Sequence, residues 1–251
     1  MIFAILIGRK GSRGFKGKNT VKLFGKACCE YPLIAAKKSR YIKKIYVSTD
    51  CPKIKRISKK YKVNFIDRPK KLATSKALGE DVYKFTYKKI LESISSKKIK
   101  LVVLLMANAP TVTGQMIDKG IKKLLRNTYY DSAVSTSVYN MWSPLRARKL
   151  KKNGTLMPFV PFKTFGNPKT LNCDRDSQGN VFFADMSVSV VRPKCLIETD
   201  KGLLPQKWMG KKITPIASWG GCDIDFRWQL PLVKYWLKEN KLHKNYNVKI
   251  K

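Results

Sequence analysis

Short β-branched runs alternate with longer amphipathic stretches through the first half of the chain. Residues 3–7, 44–48, 100–106 and 132–138 read as strands, and 64–67 as a short one. Between them, 33–40, 51–61, 77–93 and 113–126 carry helical spacing. Caps mark the helix starts: Asp50 precedes Pro52, and Thr113 stands at the head of the last stretch. Regular alternation of strand and helix predicts an α/β fold with a mostly parallel sheet covered on both faces. Ligands of such sheets sit beyond the carboxyl ends of the strands.

From about residue 142 to 180 the pattern changes. Pro144, Pro158, Pro161 and Pro168 mix with Gly154, Gly166 and Gly179, and no helical period survives. This stretch reads as an insertion, a lid, or an arm used by a partner subunit. The strand pattern returns at 186–191, and a closing helix is predicted over about 226–238. With no internal repeat and no long linker, 1–251 reads as one domain carrying that insertion.

Composition narrows the classes. With 43% hydrophobic and 27% charged residues, the chain is globular rather than disordered. No apolar run reaches the ~18–20 residues a membrane crossing needs. The apolar start at 1–8 lacks a basic stretch before it and a cleavage site after it, so it reads as a buried strand, and the protein is expected in the cytoplasm. Six cysteines without a C-x-x-C pair predict reduced, structural thiols. The single histidine, His243, lies in a polar tail, which argues against a Ser-His-Asp triad.

The balance of 53 Lys+Arg against 16 Asp+Glu gives a formal charge of +37 and, alone, points to a polyanionic partner. The excess is spread in doublets such as Lys37-Lys38, Lys59-Lys60 and Lys211-Lys212, with no basic tail. A lysine-rich solvated surface is therefore ranked above a nucleic-acid site. A nucleotide substrate would gain from the same field.

Two segments carry chemistry. The first strand runs into Gly8-Arg9-Lys10-Gly11-Ser12-Arg13-Gly14-Phe15-Lys16-Gly17-Lys18-Asn19. Glycines let backbone N–H groups approach a ligand closely, and the cations among them suit a polyphosphate. The loop is neither a Walker loop nor a dinucleotide fingerprint. The competing reading is an ordinary basic surface loop, disfavoured because it follows a strand where α/β sheets bind ligands. Near the other end, Gly220-Gly221-Cys222-Asp223-Ile224-Asp225 places two carboxylates on one side of an extended segment, as a hard cation such as Mg2+ requires. An N-cap plus a solvated acid is the plainer alternative. A similar pair, Asp174 and Asp176, reads as a turn or substrate-loop feature.

Taken in order, these segments resemble the acylneuraminate (CMP-sugar) cytidylyltransferases. Arg9-x-x-Ser12-Arg13 with Lys18-Asn19 looks like that family's CTP-binding signature, and Val47-Ser48-Thr49-Asp50 is similar to its second-strand motif. Arg68-Pro69 with Leu72-Ala73-Thr74 resembles its segment near the nucleotide base, and Asp223-x-Asp225 its late metal-binding aspartates. The departures are Met106 where a sugar-contacting glutamine is usual, Val112 for an arginine, Ser75 for an aspartate, and Asp185-Met186 for an Asn-Gly pair. These departures bear on the choice of acceptor, while the nucleotide and metal segments keep the family's pattern.

The resemblance implies a single three-layer, Rossmann-like nucleotide-diphospho-sugar transferase fold with a mostly parallel sheet and an inserted dimerisation or lid region. It implies an enzyme that joins CTP to an acidic 2-keto sugar for glycan synthesis, acting as a homodimer with Mg2+. Arg9, Ser12, Arg13 and Lys18 would hold the triphosphate, Asn19 the loop or the nucleotide, and Arg68 and Thr74 the cytidine. Asp223 and Asp225 would hold the metal, and Arg9, Lys18 and Asp225 would be catalytic. The sugar would be met by Arg146 and Arg175, with Arg148 and Lys163 as further cations and Asn108 and Gln178 reading hydroxyls. Phe162, Phe165, Phe182 and Phe183 are candidates for dimer contacts or for ordinary core. Three alternatives stay open: a metal-dependent glycosyltransferase, a nucleotidyltransferase for a neutral sugar phosphate, and a nucleic-acid-binding protein.

Overall fold

A computed structural model describes residues 1–11, 14–174 and 177–244. In chain order its strands are β1 (Ile2–Gly8), β2 (Lys22–Leu23), β3 (Lys26–Ala27), β4 (Lys44–Thr49), β5 (Asn64–Asp67), β6 (Leu101–Met106), β7 (Ser132–Val138), β8 (Arg148–Leu150), β9 (Leu156–Pro158), β10 (Phe182–Val191) and β11 (Ile213–Ala217). Its helices are α1 (Glu30–Lys38), α2 (Pro52–Lys60), α3 (Gly79–Leu91), α4 (Gly114–Arg126), α5 (Lys194–Ile197) and α6 (Leu230–Glu239).

Seven strands form the central sheet in the order β11-β7-β10-β6-β1-β4-β5. All neighbours pair parallel except β10, which runs antiparallel to both β6 and β7. Every residue of β1 is buried, as expected for a strand covered on both faces. Its side chains alternate between two cores. Ala4 and Leu6 point to a cluster with Leu33, Ile54, Ile117 and Ile121, under α1, α2 and α4. Phe3, Ile5 and Ile7 point to the opposite cluster with Tyr83 and Tyr87 of α3 and with Trp208. A third cluster joins Leu23 and Tyr31 to Ile224, Val233 and Trp236, fastening α6 beside the glycine-rich loop.

Most predicted elements appear within a few residues of their expected bounds. Thr113 caps α4, its Oγ1 accepting from Met116 N at 3.1 Å. Several features differ. β11 had no predicted counterpart: it is a five-residue edge strand containing Pro215, which an edge tolerates. β10 begins at Phe182 rather than at 186. Within the supposedly irregular 142–180, β8 and β9 pair as an antiparallel hairpin whose outward residues leave no amphipathic signature. The closing helix begins at Leu230, after a 3-10 turn at Arg227–Gln229. His243, in the polar tail, packs on Phe24, with ring centroids 5.7 Å apart. No helix among the described residues is long and apolar enough to cross a membrane.

Candidate active site

At the carboxyl end of β1 the backbone leaves Gly8 and returns through Gly17, at φ 77°, into a 3-10 turn at Lys18–Thr20. Asn19 closes this loop. Its Nδ2 donates to Arg9 O at 2.9 Å, and its carbonyl accepts from Cys29 N at 3.0 Å. Lys10 N donates to Asp50 Oδ1 at 2.9 Å, tying the loop to the end of β4. Phe15 N donates to Asp225 O at 3.0 Å. A Cβ on Gly14 would stand 2.7 Å from that same oxygen, so only glycine allows so close an approach. The loop is thereby docked on the acidic segment, and Lys18 Nζ pairs with the Asp225 carboxylate.

A cleft of about 320 Å³ opens between these parts, lined among others by Arg9, Lys18, Asn19, Arg68, Asn108 and Asp225. Arg68 enters from the end of β5, and its Nη2 donates to Ser48 O at 3.1 Å. Burial pushes its pKa down to about 10, against the raising effect of Asp50, so it stays charged at neutral pH. Its Nε is buried with no partner among the described residues. A guanidinium N–H in that condition favours an acceptor brought by a ligand.

The acidic segment is held by polar groups of β7, of the residue that follows it and of the loop after β6. Gly221 N donates to Ser137 Oγ at 3.0 Å, Tyr139 Oη to Gly221 O at 3.2 Å, and Cys222 N to Thr111 Oγ1 at 3.0 Å. Asn108 clamps the next residues: its carbonyl accepts from Ile224 N at 2.8 Å, and its Nδ2 donates to Asp223 Oδ2 at 3.1 Å. Ile224 is fully buried between the two aspartates, so alternation turns both carboxylates away from the core. Burial, and next the charge of Asp225, push the Asp223 carboxyl up, against Lys18 and Asn108. Beneath lies Asp185, buried and accepting from the Ser135 and Ser137 hydroxyls.

On the far side of Asp223 a second cleft of about 430 Å³ is lined by aromatic groups, including Tyr139, Trp142, Trp219 and Trp228. Asp225 borders the first cleft and Asp223 the second. Such a pair of carboxylates fits a hard divalent ion, which takes the rest of its shell from water and phosphate oxygens. Among the described residues no group of three or more His, Cys, Asp or Glu gathers anywhere as a self-sufficient metal cage.

A family model described as cytidylyltransferase matches residues 3–155. The chain belongs to the cytidylyltransferase family. It is 38% identical over 76 residues to the N-acylneuraminate cytidylyltransferase of Escherichia coli O18:K1:H7, covering 30% of this chain and 18% of that protein. It is 26% identical over 168 residues to a Helicobacter pylori protein named as a pseudaminic acid cytidylyltransferase and UDP-2,4-diacetamido-2,4,6-trideoxy-beta-L-altropyranose hydrolase. That alignment covers 66% of this chain and 31% of the relative, so under a third of either curated protein is spanned. The fold is similar to that of a CMP:2-keto-3-deoxy-manno-octonic acid synthetase solved with CTP, at TM-score 0.66 and 11% identity over 95% of this chain and 99% of that one. It is also similar to the 4-diphosphocytidyl-2C-methyl-D-erythritol synthase of Anaerococcus prevotii, at TM-score 0.58 and 13% identity over 94% and 98%.

Within this cytidylyltransferase fold, seven of the expected residues converge: Arg9, Lys18, Asn19, Arg68, Asn108, Asp223 and Asp225. Ser12, Arg13, Arg175 and Asp176 lie outside the described residues. Thr74 is exposed between Leu72 and Ala77, which line the first cleft, but does not line it itself. Arg146 belongs to a separate cleft in the arm, its Nη2 donating to Cys173 O at 2.6 Å, and Gln178 accepts from Ser143 Oγ. Neither lines the two clefts at the aspartates. Phe162 and Phe182 are exposed, whereas Phe165 and Phe183 are half-buried. The sequence reasoning missed the aromatic cleft and the serine–aspartate floor. One signal was present: Trp219 and Trp228 bracket the Gly220–Asp225 motif.

Proposed function

We propose that the protein joins CTP to the anomeric hydroxyl of an acidic 2-keto sugar, releasing CMP-sugar and pyrophosphate, and that it works in the cytoplasm with Mg2+. One observation carries this reading: a cationic cleft and an aromatic cleft meet at a single pair of carboxylates. A triphosphate suits the first, where Arg9, Lys18 and Arg68 gather. A sugar suits the second, because aromatic faces pack on the C–H faces of a sugar ring.

In the reaction the sugar oxygen attacks the α-phosphorus, the bond from that phosphorus to the bridging oxygen breaks, and pyrophosphate leaves with the electron pair. The hydroxyl proton passes to solvent; no side chain is assigned as its base. The protein's own work is alignment and charge neutralisation. Arg9 and Lys18 meet the phosphates, with Ser12 and Arg13 continuing that loop. The unpartnered Nε of Arg68 supports its place at the nucleotide, and Thr74 sits on the same side through its neighbours Leu72 and Ala77. Asp223 and Asp225 would hold Mg2+, which supplies positive charge and Lewis-acid polarisation to the phosphate oxygens. The surrounding +37 charge draws both anionic substrates inward.

A second copy of the chain is the natural partner for the arm. Leu150, Leu156 and Phe159 stand 67%, 65% and 63% exposed on it, more apolar surface than a lone hairpin offers without cost. In such a dimer the arm cations Arg146 and Arg175 would serve the sugar carboxylate.

The test is pyrophosphate release from CTP and Mg2+ across a panel of 2-keto sugar acids, with ATP, GTP and UTP as controls. Turnover with CTP and at least one acid is expected. CTP binding without turnover on any acid would overturn the acceptor, and failure to bind CTP would overturn the reaction.

A further inference from the structure

Pairing between β7 and β10 breaks at the edge of the aromatic cleft. Ala184 faces Thr136 and Ser189 faces Val134, so residues 185–188 bulge opposite Ser135 alone. Polar groups close the bulge without using its methionine. Ser135 Oγ donates to Asp185, Ser187 N donates to Asp185 Oδ1 at 3.2 Å, and Val188 N donates to Ser135 Oγ at 3.0 Å. Inside it Met186 is held at φ 60°, a left-handed conformation that glycine adopts freely and a side chain resists. A bulge next to a site re-aims a side chain, and strain that the surroundings enforce points to a use.

That side chain packs on the core cluster around Phe3 and Trp208 and lines the aromatic cleft beside Asp223. Several polar groups of the lining are engaged within the protein. Tyr139 Oη donates to Gly221 O, Gln229 Oε1 accepts from Asp225 N and Phe226 N, Trp236 Nε1 donates to Trp219 O, and Asp185 accepts from two serines. A sugar hydroxyl brought against Met186 would give up water for an apolar thioether chain, whereas a methyl or acyl carbon loses nothing.

Resting on the cytidylyltransferase reading above, we propose that Met186 is a specificity-determining residue. It floors the acceptor cleft and selects acidic sugars bearing an apolar deoxy or N-acyl substituent over those with a hydroxyl in that place.

The experiment compares wild type with Met186→Gly and Met186→Asn, both residues that accept a left-handed backbone. The acceptors are a diacetamido, terminally deoxygenated nonulosonic acid and N-acetylneuraminic acid, which keeps the corresponding hydroxyls. Wild type is expected to favour the deoxygenated acid by about tenfold or more in kcat/KM. Met186→Gly should lose that preference through acceptor KM, with CTP KM within about twofold of wild type, and Met186→Asn should shift it toward N-acetylneuraminic acid. Unchanged preference in both folded variants overturns the role of Met186 and leaves the reaction standing. Wild type that binds CTP yet turns over neither acid overturns the acceptor reading and this inference with it.

Discussion

The two clefts share a wall and little else. On one side, main chain does the shaping: Gly14 lets the loop touch Asp225 O, Asn19 bonds Arg9 O, and only a few charges project. On the other side, large side chains shape the space, with Trp142, Trp219 and Trp228 each about half exposed at 48%, 47% and 57%. Phosphates are recognised by fixed donors and charge, which tolerate no substitution of shape. A sugar face is recognised by apolar area, which many side chains can supply. The first cleft is therefore built around one compact loop, joined by Arg68, Asn108 and Asp225, and the aromatic cleft from residues scattered over the turn after β7, β10, the stretch before α6 and α6 itself.

The sharpest way to break this division is at its shared wall. On the function proposed above, Asp225→Asn should cut kcat by about 10²–10³ with either substrate saturating, because the group would act where charge develops on the phosphates. Lys18→Met removes a lining cation of the first cleft and the partner of Asp225, so CTP KM should rise about tenfold and kcat fall while acceptor KM holds. Steady-state kinetics with each substrate varied in turn separates the two patterns. Equal damage to both KM values in Lys18→Met would mean that the clefts are not chemically distinct.

How far each side was legible follows from the same difference. β1 announces itself because seven buried residues in a row leave one reading, and the Arg9–Asn19 loop because its glycines and cations are contiguous. Thr113 was visible as a cap because capping is local. Asp185 was noticed as a departure, but its partners Ser135 and Ser137 become neighbours only once β10 lies against β7 with a bulge of irregular register. No periodicity encodes that. β11 escaped because Pro215 and a five-residue span mask an edge strand, and the arm because its exposed hairpin has no buried face to pattern.

A smaller effect tests the acceptor side's floor. A Cβ on Gly221 would stand 2.5 Å from Asp185 Cγ, and Asp185 is held on both oxygens by serine hydroxyls. Gly221→Ala should therefore destabilise by roughly 2 kcal/mol, lowering the unfolding midpoint by roughly 4–8 °C. Because Gly221 leads into Asp223, acceptor KM should rise while CTP KM stays close to wild type. A drop in stability with both KM values unmoved would show that the floor holds the fold without aiming the carboxylate.

The smallest expected effect concerns the matching support on the nucleotide side. Glu30, buried at the start of α1, accepts from Ala27 N at 2.6 Å, Lys60 Nζ at 2.9 Å and Tyr61 Oη at 2.9 Å, bracing the hairpin of β2 and β3 behind the loop. Burial pushes its carboxyl up, but the Lys60 bond, then Ala27 N and Tyr61, outweigh it, leaving the pKa below the ordinary 4.5. A lowered folded pKa means the ionised form stabilises the fold. That contribution is whole above pH 4.5 and is lost as pH falls through the lower folded value. Glu30→Gln should cost about 1–2 kcal/mol at pH 7. The gap between wild type and variant should narrow as acid protonates Glu30, because only the wild type then loses a charge. Urea unfolding of both proteins at a series of pH values reads this directly. A gap that stays constant into acid would mean that shape, and not the charge on Glu30, holds this side of the site.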